Sequence, residues 1–99
     1  MKDKNFTAIV ACCDEVAMAA ISVGYSLGLT VPKDFSIIGF DNTSIAEMAF
    51  PPLTTISQPL FSLGKTAFLM LFEKMSTGKD PESKILPFKI VERRSVAQN

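Results

Sequence analysis

Short uncharged blocks and helically spaced apolar residues alternate along this chain. Thr7-Ala8-Ile9-Val10-Ala11-Cys12 carries no charge, the pattern of a short strand covered on both faces in a parallel sheet. Residues 14–27 are predicted to form a helix, with the Asp14 carboxylate as its N-cap and Gly28 ending it. Along it, Val16, Ala20, Val23 and Leu27 make one stripe expected to pack on the sheet. Met18, Ser22 and Tyr25 make a second stripe, read either as a partner surface or as a helix buried more broadly than average. Gly28 to Asp34 is a compact connection in which Pro32 presets φ and Asp34 supplies turn chemistry. A second strand is predicted over 35–40. Its apolar Ile37-Ile38 stops abruptly at Gly39-Phe40-Asp41-Asn42. Strand, helix and strand form a βαβ unit, and a right-handed crossover makes the strands parallel. Cys13-Asp14 and Asp41-Asn42 then leave the sheet at one carboxyl edge, where open α/β sheets bind their ligands.

The second half changes character. Ser44 and Glu47 have capping-box spacing for one or two helical turns before Pro51-Pro52. Leu53-Thr54-Thr55-Ile56-Ser57 has the β-branched content of a strand, and Gln58-Pro59 breaks it. A helix is predicted over 60–75, closed by Gly78. Its apolar set includes Leu60, Leu63, Ala67, Leu71 and Met75 together with Phe61, Phe68 and Phe72, and covers more than half the circumference. One sheet face would not bury that much, so part of it calls for another partner. A polar loop over 77–83 leads to a last strand over 85–91, ended by Glu92-Arg93-Arg94-Ser95, with the arginines expected to make surface ion pairs of little worth.

Composition narrows the function. With 99 residues, 47% apolar and 20% charged, the chain is one small globular domain at most. Ten basic and ten acidic side chains give no surplus of positive charge for a polyanion, so this stretch alone is not expected to bind DNA. No apolar run approaches the roughly 20 residues that span a bilayer, and Met1-Lys2-Asp3-Lys4-Asn5 lacks a signal-peptide core. A cytoplasmic protein without membrane contact is expected. The absence of histidine removes Ser-His and Cys-His nucleophilic arrangements and histidine metal sites. Cys12 and Cys13 lack the spacing of a zinc or redox motif and read as free thiols. No enzyme activity, cofactor or metal is expected.

Several stretches, in this order and spacing, resemble the C-terminal part of the effector-binding core of the lactose-repressor/galactose-repressor family of bacterial transcription regulators. They are Phe6-Thr7-Ala8-Ile9, Asp14-Glu15-Val16-Ala17-Met18-Ala19, the run from Gly28 to Asn42, Pro52-Leu53-Thr54-Thr55-Ile56-Ser57-Gln58-Pro59, Leu63-Gly64 and Glu92-Arg93-Arg94-Ser95. The last resembles the purine-repressor branch. The resemblance covers almost the whole chain and implies an α/β class, a Rossmann-like parallel-sheet fragment of a periplasmic binding protein type I fold. It further implies a division into 1–53 (one lobe and a dimer segment), 54–84 (a crossover and a helix of the other lobe) and 85–99 (the returning strand). The DNA-reading headpiece is absent from this chain.

The same resemblance implies a small sugar or purine-like effector in a cleft between lobes and a homodimer that touches DNA only as the full-length protein. In the family the aspartate matching Asp41 hydrogen-bonds the effector, and two carboxylate oxygens suit adjacent hydroxyls. Capping of the following turn is the plainer role for Asp41. Cys13 stands where an asparagine often reaches the ligand, and reads either as a weaker contact or as a strand-end thiol. Asp14 is an effector residue or a helix cap, and Phe40 stacks on a ligand ring or fills the core. Met18, Ser22, Tyr25, Ile45, Met48 and Phe50 are the dimer candidates. Rival readings are a transporter's solute-binding protein, an enzyme using the Cys13 thiolate, and a fragment that only self-associates.

Overall fold

The computed structural model describes residues 5–98; the Met1 to Lys4 start and Asn99 lie outside them. The chain divides into two units, the first spanning Met1–Ser57 and Lys89–Asn99, the second Gln58–Phe88. In the first unit β1 (Ala8–Val10) pairs in parallel with β2 (Ser36–Ile38), in the register Ala8 to Ser36, Ile9 to Ile37 and Val10 to Ile38. The helix α1 (Asp14–Ser26) makes the crossover, as the apolar blocks predict. A short α2 (Ser44–Met48) follows, and β3 (Thr55–Ser57) pairs antiparallel with β4 (Lys89–Val91). A single parallel bridge from Ile38 to Thr54 joins the two strand pairs.

The core of this unit is built from Ala17 and Ile21 of α1, Phe35 and Ile37 on β2 and its approach, Ala46 of α2, and Leu53. The face α1 turns inward differs from the expected one. Asp14, Ala17, Ile21 and Gly24 are buried, whereas Val16, Val23 and Leu27 are about half exposed, at 47%, 53% and 47%. The reason is Phe35. A Cβ on Gly24 would stand 3.0 Å from its ring, so the aromatic fills the space that a small residue leaves, and the helix is oriented by that fit. Of the expected stripe, only Ala20 packs against the core; from the second stripe Met18 does so as well.

Two further expectations are corrected. The first strand, expected to be buried on both faces, leaves Val10 78% exposed, because Ala8 and Val10 lie on the face opposite Ile9, which alone packs against the core. The last strand is three residues rather than seven, since β3 offers only Thr55, Ile56 and Ser57 as partners for Val91, Ile90 and Lys89. Ile85, outside that ladder, is 97% exposed.

The second unit consists of α3 (Leu60–Thr77) and the extended return that follows. Gly78 closes α3 in the left-handed conformation at φ 75°, where a side chain would be strained. Lys74 of the last turn pairs with Asp80. No residue of α3 is buried, and Phe61, Phe68, Phe72 and Met75 remain more than half exposed. The broad apolar surface read from the sequence is therefore exposed among the described residues.

Candidate functional site

The parallel pairing brings the ends of β1 and β2 to one edge. The Asp14 amide donates to the Phe40 carbonyl at 3.1 Å, and the Ala11 amide to the Ile38 carbonyl at 2.9 Å. Cys13, Asp14, Phe40 and Asp41 thus lie on two adjoining loops, with Cys13, Phe40 and Asp41 partly exposed and Asp14 fully buried. Both cysteines are free thiols.

Asp14 is not the cap the sequence suggests. Cys13 occupies the N-cap position of α1, and its side chain makes no capping hydrogen bond. The Asp14 carboxylate reaches across to the neighbouring loop and strand. One oxygen accepts from the Thr43 amide at 2.6 Å and the Thr43 hydroxyl at 3.0 Å; the other accepts from the Thr55 hydroxyl at 2.6 Å. A buried carboxylate must be hydrogen-bonded to be tolerated, and these three donors supply that. Both Asp14 oxygens are thus engaged, and the residue has no exposed surface. The same bonds explain why the Ser44–Glu47 capping box does not form. Thr43 is the N-cap residue of α2, and its hydroxyl is turned to Asp14.

Gly39 makes that geometry possible. A Cβ there would come within 2.3 Å of an Asp14 carboxylate oxygen and 2.8 Å of Leu53, so only glycine lets β2 end against α1. The chain then turns through Asp41 at φ 103° and Asn42 at φ 54°, two successive non-glycine residues in the left-handed region. Such conformations cost about 1–3 kcal/mol each and persist where the surroundings over-determine them. Here they are over-determined. The Asp41 amide donates to the Ile56 carbonyl at 2.9 Å, and the Asn42 amide to the Thr55 hydroxyl at 3.3 Å. Arg93, instead of forming a surface ion pair, donates to the Asn42 side-chain carbonyl and to the Leu53 carbonyl, both at 2.8 Å. Ser95 is fully buried; its hydroxyl donates to the Ile37 carbonyl at 2.6 Å and accepts from the Thr54 amide at 2.8 Å. The arrangement holds Asp41, half-buried, on a turn tied to β3, Asp14 and Arg93.

The periplasmic binding protein-like domain matches residues 1–96. The chain belongs to that family. Within it, the chain is 48% identical over 92 residues to the HTH-type transcriptional repressor PurR of Yersinia enterocolitica, covering 92% of this chain and 27% of the repressor. A LacI family transcriptional regulator from Enterococcus faecalis, solved with bound ribose, superposes with a TM-score of 0.87 at 40% identity, over 97% of this chain and 36% of that one. A Lac repressor dimer bound to operator and the anti-inducer ONPF superposes at 0.83 with 32% identity, over 93% and 32%. The chain therefore spans about a quarter to a third of the length of these relatives. They are regulators of the type its motifs indicate, and the PurR relative is a repressor, not an enzyme.

Of the residues read as functional from sequence, this periplasmic binding protein-like chain gathers Cys13, Asp14, Phe40 and Asp41 at one edge. The dimer candidates lie on α1, on α2 and just beyond α2, elements that pack against each other. Ser22, Tyr25, Met48 and Phe50 are exposed, and Met18 and Ile45 half-buried. Sequence reasoning gave no role to Thr43, Thr55, Asn42 or Arg93 in the site. The Leu-Thr-Thr-Ile-Ser and Glu-Arg-Arg-Ser stretches carried that signal only as resemblance, because side-chain bonds between residues 29 to 51 positions apart leave no periodic mark. No helix among the described residues is long and apolar enough to cross a membrane.

Proposed function

We propose that this chain is the effector-sensing and dimerising portion of a LacI-type transcription regulator. Its effector is a small sugar or purine-like molecule, and the DNA-binding headpiece lies outside these residues. The observation that carries the reading is the turn at Asp41 and Asn42, held left-handed at the carboxyl edge of a parallel strand pair in a chain this similar to repressors. Backbone strain of this kind collects at ligand sites, where a pre-set contact avoids the cost of ordering on binding. In this reading Asp41 accepts hydrogen bonds from the effector, Asp14 holds the turn, and Phe40 and Cys13 border the ligand. Ribose in the Enterococcus faecalis relative supports a polyhydroxylated effector, and the purine-repressor-like ending Glu92-Arg93-Arg94-Ser95 supports a purine-like one.

Control of DNA follows as a population shift, since an effector changes DNA affinity only by favouring one arrangement of the lobes over the other. The division at Ser57/Gln58 and Phe88/Lys89 supports two lobes, with its bounds four residues later than those of the 1–53, 54–84 and 85–99 scheme of lobe, crossover with helix, and return. The exposed Tyr25, Met48 and Phe50 support a homodimer through α1 and the α2 segment. Titration calorimetry with D-ribose and the free purine bases tests the assignment. Asp41→Ala is expected to weaken the bound class about tenfold or more, the worth of a hydrogen bond to a charged group. Unchanged affinity in Asp41→Ala would remove Asp41 from the site.

A further inference from the structure

The turn that presents Asp41 is held from three directions. Asp14 holds Thr43 and β3 holds Asp41, and both belong to the site already described. The third hold comes from Arg93, two residues beyond β4 and 51 positions from Asn42 in sequence. We propose that Arg93 is a positioning residue of the effector site: its guanidinium fixes Asn42 in the left-handed conformation and so sets the direction of Asp41. The proposal rests on the reading of Asp41 as an effector contact.

The geometry is that of a fork anchored at both ends. The Arg93 backbone amide donates to the Thr54 hydroxyl at 2.9 Å, which fixes the base of the side chain. Its two terminal nitrogens then divide between the Leu53 carbonyl and the Asn42 side-chain carbonyl. A planar guanidinium spans two acceptors in a fixed direction; an ammonium is a point charge and does not. By comparison, the Asn42 amide bond to the Thr55 hydroxyl is long, at 3.3 Å. The charge-assisted bond from Arg93 is therefore the stronger hold on this residue. Arginine in this place also ties the turn to the segment after β4, the strand through which the chain returns from its second unit.

Amide hydrogen exchange on the 99-residue chain tests this. Arg93→Met is expected to speed exchange of the Asp41 and Asn42 amides about tenfold relative to the Ile37 amide, which bonds to the Ser95 carbonyl. Arg93→Lys is expected to behave like Arg93→Met. Asn42→Ala, which removes the acceptor and leaves the Leu53 bond, is expected to reproduce the effect if Arg93→Met does not fold. In an Asn42→Gly background, where position 42 needs no hold and the Arg93 acceptor is gone, Arg93→Met should add less than about twofold. Unchanged exchange in Arg93→Met, full protection in Arg93→Lys, an equal rise at Ile37, or the same rise in the glycine background would overturn the proposal. The two readings separate in one further arm, using whichever of D-ribose or the purine bases binds. Asp41→Asn should weaken that ligand with exchange at Asn42 unchanged, and failure there removes the effector reading while leaving the exchange result standing.

Discussion

The two units of this chain solve opposite problems. Among the described residues, the first holds every buried one and the polar network around Asp14, Thr43, Thr55 and Ser95, while in the second α3 buries none of its eighteen residues. In the first unit, polar groups are taken from water and each is satisfied inside, since no buried side-chain nitrogen or oxygen among the described residues lacks a hydrogen-bond partner. In the second, Phe61 and Met75 stand in solvent at 85% and 76% exposure. Local patterning makes a helix in either setting, but the long-range bonds that hold Asp41 and Asn42 in a costly conformation lie around the candidate site.

That contrast can be broken most severely at Gly39. Gly39→Ala drives a methyl into the Asp14 carboxylate and Leu53, and is expected to destabilise the first unit by about 3 kcal/mol or more. Tyr25 is the single tyrosine, tryptophan is absent, and Tyr25 lies in the first unit, so its fluorescence in urea reports that unit. Ser95→Ala removes a donor to Ile37 and an acceptor for Thr54 in a fully buried place, and about 2 kcal/mol is expected by the same measurement. In the second unit the sign reverses. Gly64 sits inside α3 with nothing within 4 Å of a built Cβ, so Gly64→Ala is expected to stabilise the helix by about 0.5–1 kcal/mol, read by circular dichroism during thermal unfolding. Smallest is Phe61→Ser, expected to change the stability of this chain by no more than about 0.5 kcal/mol because the ring is already in water. A large loss there would mean that α3 is covered in solution, as a second copy or another lobe would cover it.

The elements that depend on local sequence were legible in advance. The alternation of Ile9 and Ile37 blocks with the 14–27 helix gave the parallel βαβ unit, and Gly78 marked the end of α3. What could not be read locally was which face of α1 turns inward, because that is decided by the fit of the Phe35 ring against Gly24 and not by counting apolar residues. The role of Asp14 was misread for a similar reason. An aspartate before a helix caps it by default, and only the arrival of Thr43 and Thr55 from distant elements offers its carboxylate better donors. Arg93 followed the same rule, a charged side chain near a chain end whose acceptors, Leu53 and Asn42, come from 40 and 51 positions away.

In the proposed function the turn after β2 carries Asp41 to a small polar effector. The most direct measurement is a chemical-shift titration of the 15N-labelled chain with D-ribose and, separately, with the free purine bases. Weak binding is expected, since one wall of a cleft does not enclose a ligand. Saturable shifts are expected at Cys13, Phe40, Asp41 and Asn42, with Asp14 moving less because its carboxylate is already engaged. Shifts centred instead on the hollow lined by Ile90, Glu92 and Val96, with the amides of residues 40–42 unmoved, would contradict the proposed function.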